Sequence, residues 1–483
     1  MLRVFFAIGA LQAVAIVLTA LRAKLLAVWL GPGGMGVVSM VDQFVQSAAY
    51  FSALSLPFAA LKFLSRAHSE GEASFRRSYA GFAKAALVLA GGGTLVAAAL
   101  ALVGADWMGE AVARYRGLLL IALLGLPATV LNGFFSHVLA AARQYRASSL
   151  LAIVTGAAML AATLLGLALG GLRGQYLGNA LAGTAVALGT LLYLNRSLGL
   201  PLYDRAASVT AELRRSPEIV PVSVLMFAAA LAYSLSFLVA RYAVLKHFGE
   251  AEAGLLHAPL AIAVAMGLVL TPVNGLYLTP IMNRSSGREE KLRTVVEFQK
   301  HMLVILGVAG VAVALFPQPI LALLFSAAFT PSAQFVYLFV IWQCLFQLAG
   351  VGQALLIGLD EVKAYAAITV AGYALLALTA WVAAPRLGVP GVALGFITSG
   401  ATMFLLALVR LRVKHGFAFP GSLSLLVVYI LAAVLLAGLS AGWGLAVVSA
   451  RLVYYLLFVA GLLLFLSKEE RSSLVGLWAR GRP

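Results

Sequence analysis

Residues 22–43 read RAKLLAVWLGPGGMGVVSMVDQ. Two cations, Arg22 and Lys24, sit inside an apolar run that begins at Leu2. The run breaks at Gly31-Pro32-Gly33-Gly34, and a second apolar run then opens with Asp42 inside it. A charge within a membrane span costs roughly 3 kcal/mol or more, so each such group needs a reason to be there. Two apolar runs joined by a glycine turn and carrying charge at depth are the pattern of a polytopic membrane protein with a polar interior.

Composition agrees. The 483 residues are 63% hydrophobic and 11% charged, and the mean hydropathy is +1.01. A soluble domain of this size could not bury so much apolar surface. The opening MLRVFFAIGALQAVAIVLTA has the single cation and apolar core of a signal peptide, but the run continues through Leu30 without a polar cleavage region, so it is expected to be retained as the first span. The one cysteine, Cys344, excludes an intramolecular disulfide, and no metal site of the usual Cys/His spacing is seen.

A span needs about 20 mostly apolar residues. On that rule about fourteen helices are expected, near 3–29, 35–65, 79–103, 117–141, 148–170, 175–197, 219–246, 252–282, 298–327, 333–358, 364–384, 389–411, 420–440 and 444–466. Pro57, Pro272 and Pro317 fall in the longest of these and predict kinks. With the N-terminus inside, 24 of the 34 Lys and Arg fall on the inner side, 5 on the outer side and 5 within spans. That asymmetry predicts both termini in the cytoplasm and accounts for the net charge of +17 without nucleic acid.

The sequence also repeats. WLGPGGMG (Trp29 to Gly36) aligns with HFGEAEAG (His247 to Gly254) at an offset of 218. GLRGQYLG (Gly171 to Gly178) aligns with GVPGVALG (Gly388 to Gly395) at 217, and LAAARQYRA from Leu139 aligns with LIGLDEVKA from Leu356 at 217 again. Six helices per copy is an even number, so both copies enter the membrane in the same sense. The expected architecture is all-α, with two pseudo-symmetric six-helix lobes about a central cleft and two further helices. Its segments are an N-lobe over 1–197, a cytoplasmic linker with a short interfacial helix over 198–218, a C-lobe over 219–412, and helices thirteen and fourteen with a tail over 413–483.

The repeat places Arg241 on Ala23, between Arg22 and Lys24, so each copy carries a cation at the same depth in its first helix. Residues two apart on a helix point nearly opposite ways, so Arg22 and Lys24 cannot share a face. Snorkelling of all three to the outer headgroups is the plain alternative. Asp42 reads as a counter-ion for a neighbouring cation or as a proton-coupling group. Lys62 marks the inner mouth of the cleft or is an ordinary interface anchor. Of the polar residues scattered through the helices, Asn132, Asn274 and Gln347 are assigned to the cavity, although such side chains more often bond between helices. No Gly-Lys-Ser/Thr follows the glycine turns, which argues against ATP as the direct energy source and leaves an H+ or Na+ gradient or the membrane potential.

The stretch KLLAVWLGPGGMGVVSMVDQF, from Lys24, resembles the first-loop signature of Wzx-type oligosaccharide flippases, polysaccharide-transport members of the MOP exporter superfamily. Lys24, Leu30, Gly31, Pro32, Gly34, Gly36 and Gln43 fit it, and LLFSAAFTPSAQFVYLFVIWQCLFQ, from Leu323, is similar to that family's ninth-to-tenth helix junction. The resemblance implies a V-shaped, alternating-access flippase, not an enzyme, in a bacterial inner membrane. It would move an undecaprenyl-diphosphate-linked oligosaccharide (an O-antigen or related unit) to the periplasmic leaflet, amid membrane lipids and alongside a glycan polymerase and its chain-length machinery. Cationic residues would engage the diphosphate, with Lys24 favoured over Arg22 as the partner of Arg241. The rival readings are a lipid II flippase, a multidrug or cation exporter of the same superfamily, which would want buried carboxylates, and a membrane enzyme such as a sugar polymerase or ligase, for which the outer loops are too short.

Overall fold

The computed structural model describes residues 2–107, 110–201, 208, 214, 219–268, 287–440 and 448–467. Among them the regular structure is helical, as a chain in hydrocarbon requires when every backbone N–H and C=O must find its partner internally. We number the helices α1 (Leu2–Ala53), α2 (Leu56–Glu70), α3 (Glu72–Trp107), α4 (Glu110–Ala113), α5 (Arg116–Leu123), α6 (Leu126–Ala141), α7 (Tyr145–Leu198) and α8 (Ile219–Leu268). After these come α9 (Arg288–Leu315), α10 (Pro317–Leu324), a 3-10 segment (Ala327–Phe335), α11 (Val336–Gly358), α12 (Val362–Leu387), α13 (Val389–His415), α14 (Gly421–Ser440) and α15 (Val448–Leu463).

Ten helical stretches among the described residues are long and apolar enough to cross a membrane. Three of them, in α1, α7 and α8, run for 40, 53 and 49 residues and turn at glycines with non-helical torsions, so each supplies two crossings. Counting these three twice and adding the shorter apolar helix α15 gives the fourteen segments the hydropathy predicts. The protein is a polytopic all-α membrane protein. The expected linker and most of the region around Pro272 lie outside the described residues.

The repeat is written in the backbone. Gly31 (φ 63°, ψ −172°) and Gly249 (φ 84°, ψ −174°) occupy matched positions with matched torsions. So do Gly171 (φ 57°, ψ −145°) and Gly388 (φ 61°, ψ −134°), and the helix-closing Gly199 and Gly416, at φ 59° and 62°. Even the left-handed non-glycine residues correspond, Arg143 at φ 58° with Asp360 at φ 60°. The amides of Gln144 and Glu361, at the same offset, donate to the carbonyls of Leu139 and Leu356 at 2.8 Å each. Side chains with a Cβ rarely adopt positive φ, which is why glycine holds six of these eight positions.

Two compact units result, one of residues 1–254 with 324–326 and one of 255–323 with 327–483. The first buries a core at one end of α2, α3, α6 and α7, where Tyr79 stacks on Phe134 amid Leu64, Val138, Leu139 and Leu194. Within it the matched turns pack backbone to backbone. A methyl on Gly36 would overlap the Glu250 carbonyl, and one on Gly254 would overlap the Pro32 carbonyl. The second unit packs α11 and α12 on α13, with Trp342 edge-on to Phe396 at 4.7 Å, and α14 lies against α9 and α11.

The kink expected at Pro57 appears three residues earlier. The break falls at Leu54 and Ser55, both at positive φ, and Pro57 sits in the first turn of α2, where a missing N–H costs nothing. Pro317 likewise opens α10.

Candidate charged site in the first unit

The two halves of α1 meet at Gly31, nine residues after Arg22 and eleven before Asp42. At 1.5 Å per residue both lie about 14–16 Å from the turn. Arg241, eight residues before the matched Gly249, lies about 12 Å from its own turn. A bilayer's hydrocarbon layer is about 30 Å thick, so all three charges sit near mid-depth.

The first unit brings these three together. Arg22 and Arg241 both act electrostatically on Asp42. Arg22 Nε donates to Thr163 Oγ1 of α7 at 2.8 Å, and Thr163 donates to Asn179 Oδ1 at 3.4 Å. The buried Tyr176 hydroxyl donates to Asp42 Oδ1 at 2.9 Å, while Asp42 itself is exposed. Arg241 Nη1 donates to Gln43 Oε1 at 2.6 Å, and its guanidinium lies 5.9 Å from the Phe237 ring centroid. Gln43 is oriented in turn by α8, its Nε2 donating to the Ser234 carbonyl at 3.1 Å, and Ser47 bonds the Ser234 hydroxyl at 2.8 Å.

Among the described residues, no carboxylate lies at ion-pairing distance from Arg22 or Arg241. Ion pairs of the described residues form at Arg66–Glu70, Arg76–Glu72 and Arg114–Glu250. Arg241 Nε is buried and has no hydrogen-bond partner among the described residues. The two guanidiniums are therefore bonded to neutral oxygens, while the Asp42 carboxylate acts on both from beyond bonding distance. Such a site favours an anion of several oxygens, and the exposed Asp42 is placed to carry a proton or a small cation.

The other expected residues are placed as follows. Lys24 is half-buried and has a partner of its own. Lys62 is exposed on α2, its ammonium 5.8 Å from the ring of Phe63. Asn132 ties α6 to α7 by donating to the Gly183 carbonyl at 3.1 Å, and its Oδ1 is buried without a partner. Gln347 belongs to the second unit, where its amide and that of Gln343 press on Gly267. Asn274 lies outside the described residues. Sequence reasoning did not single out Ser47, Thr163, Tyr176 and Ser234, and it held Gln43 only as part of a family signature. Gln43, Ser47 and Tyr50 at i, i+4 and i+7 do form a polar stripe on one face of α1.

A separate charged group closes the loop between α11 and α12. Glu361, 8% exposed, accepts from Lys414 Nζ and, at 2.7 Å, from Arg410 Nη2 at the end of α13. These two cations hold its carboxyl down to about 2.

No family model matches the sequence, and no curated protein does. Solved structures do. An inward-facing multidrug resistance MATE family transporter of the MOP superfamily is 16% identical with a TM-score of 0.64, over 85% of this chain and 96% of that one. An outward-facing multidrug resistance MATE family transporter is 15% identical with a TM-score of 0.62, over 86% and 96%. A MOP superfamily transporter from Pyrococcus furiosus, described as having a binding pocket of reversed polarity that suggests a different function, is 14% identical with a TM-score of 0.64, over 85% and 95%. The chain has the fold of MATE family transporters of the MOP superfamily, a fold known both inward- and outward-facing.

Proposed function

We propose that this protein is an alternating-access flippase that carries an undecaprenyl-diphosphate-linked oligosaccharide from the cytoplasmic to the periplasmic leaflet of a bacterial inner membrane, in surface polysaccharide synthesis. The observation that carries the reading is the pair of mid-depth guanidiniums, Arg22 and Arg241, held by Thr163 and Gln43 and left without carboxylate partners. A diphosphate offers the oxygens they lack. Lys24 adds charge on the same helix, Lys62 gathers substrate at the inner side, and Asn132, Asn274 and Gln347 are the proposed contacts to sugar hydroxyls. Both termini are cytoplasmic in this reading, and a glycan polymerase acts on the product. A lipid II flippase is the same chemistry with a different glycan.

Two observations favour a second reading, an exporter of cationic compounds. Asp42 is exposed, and two of the similar folds are multidrug resistance transporters. The two readings part at Arg241. If the cargo is an anion, Arg241→Ala lowers surface polysaccharide in a complementation assay by about 10- to 100-fold, the loss of one or two charge-assisted hydrogen bonds, and Arg241→Lys restores part of it because the charge remains without the bidentate fork. Membrane insertion is unchanged. Full complementation by Arg241→Ala would leave that cation a purely structural role and remove the support for a diphosphate.

A further inference from the structure

Gln43 lies in an apolar stretch of α1 and is only 8% exposed. A buried primary amide has an oxygen that accepts and an NH2 that donates, and both ends need partners once water is excluded. Both find them on one face of α8, where Ser234 and Arg241 lie seven residues, or two turns, apart. Gln43 Nε2 donates to the Ser234 carbonyl at 3.1 Å and lies 3.4 Å from the Ser234 hydroxyl, while Oε1 accepts from Arg241 Nη1 at 2.6 Å. A carbonyl only accepts and a guanidinium only donates, so these partners fix which end of the amide faces which.

The position therefore asks for a donor and an acceptor on one group that reaches across two turns of α8. Glutamine has both. Glutamate would serve Arg241 but set an oxygen against the Ser234 carbonyl, asparagine is one methylene shorter, and methionine has the length with neither function.

The residue before it sharpens the point. Asp42 is a carboxylate, and successive helical residues point about 100° apart. It is turned to α7, where it accepts from Tyr176 at 2.9 Å, and it acts on Arg241 only from beyond bonding distance. The acid is directed away from Arg241 and the amide toward it. The other neighbours of this contact are uncharged as well. The guanidinium lies 5.9 Å from the ring of Phe237, one turn earlier on α8, and Ser47, one turn after Gln43, bonds the Ser234 hydroxyl at 2.8 Å and ties α1 to α8 beside the amide. An amide acceptor holds a guanidinium in place and leaves its charge, whereas a carboxylate at the same distance would offset that charge and compete with an arriving anion.

We propose that Gln43 is the positioning residue of the anion site: its amide fixes the Arg241 guanidinium without supplying a counter-charge, and so tunes the site to a diphosphate. The role rests on the reading of Arg241 as a contact to the cargo. It also makes Gln43 a determinant of specificity, since a carboxylate at this one position would turn the same constellation into a neutral pair.

The test is binding of undecaprenyl diphosphate to the purified full-length protein in detergent, with undecaprenol, the same chain without charge, as the reference. The wild type should bind the diphosphate about tenfold or more tighter than undecaprenol. Gln43→Met, which keeps the length and removes the acceptor, should weaken diphosphate binding by about three- to tenfold, the worth of one hydrogen bond. Gln43→Glu, which keeps the acceptor and adds charge, should weaken it further, to the level of Arg241→Ala. Undecaprenol should bind all four proteins alike, and neither Gln43 substitution should weaken diphosphate binding further once Arg241 is replaced by alanine. If Arg241→Ala loses affinity for the diphosphate while Gln43→Glu keeps it, Gln43 does not set the charge of the site, and the proposal falls while the cargo reading stands. Equal losses of undecaprenol and diphosphate binding in the Gln43 variants would show a purely structural role and overturn it too. A wild type without preference for the diphosphate would remove both the proposal and the reading beneath it.

Discussion

Arg241 and Glu361 are charged residues in opposite situations. Arg241 lies at mid-depth with a single neutral acceptor, while Glu361 lies at a loop with two cations on it. The Glu361 carboxyl, held to about 2 against an ordinary value of 4.5, makes its contribution in full above about pH 4.5 and loses it as pH falls toward 2. Arg410 and Lys414 are half-exposed, so screening reduces the interaction to about 1–2 kcal/mol. Glu361→Gln should accordingly lower the melting temperature at pH 7 by a few degrees, with the two proteins converging as the pH is taken to 3 and below. A constant gap across that range would show that the ion pairs do not carry the difference. At this scale the sequence revealed charge but not its partners. Arg22, Asp42 and Arg241 stood out because ionisable groups in an apolar run are rare. Thr163, Tyr176 and Ser234 did not, because hydroxyls are common in membrane helices and their roles depend on which helix faces which.

Among the elements, the glycine turns were the most legible feature, since a position that demands positive φ leaves a mark in the sequence wherever it recurs. The turn of α7 and the turn between α12 and α13 are built alike: Gly166 packs on Gly174, and the residues 217 further on, Ala383 and Gly391, pack in the same way. Gly174→Ala and Gly391→Ala should therefore both be destabilising, each by about 1–3 kcal/mol from overpacking against a backbone carbonyl, and thermal unfolding in detergent measures it. Gly254→Ala should behave likewise, because its methyl would strike Pro32. Gly91, with open space around its Cβ position, is the control and should show little change. If Gly174→Ala destabilises and Gly391→Ala does not, the two turns do not bear equivalent loads. Helix boundaries were less legible. Hydropathy separates segments at polar residues, whereas the backbone carries α1, α7 and α8 through their turns and breaks at Leu54–Ser55, a pair with no sequence signal beyond the proline that follows.

For the whole molecule, composition and the six-helix repeat pointed to a polytopic all-α protein, and the likeness to inward- and outward-facing MATE transporters over 85% and 86% of the chain gives the same fold. Cargo is another matter, because folds of this kind are shared while specificity lies in a few side chains. We propose that two guanidiniums near mid-depth, bonded to neutral side-chain oxygens, select a lipid-linked diphosphate. The direct measurement is reconstitution of the purified protein into proteoliposomes, following movement of undecaprenyl-diphosphate-linked oligosaccharide between leaflets beside uptake of a cationic dye. The wild type should move the lipid-linked sugar, Arg22→Ala and Arg241→Ala should each slow it by about tenfold or more, and none of the three should transport the dye. Dye transport dependent on Asp42, with no movement of the lipid-linked sugar, would contradict it.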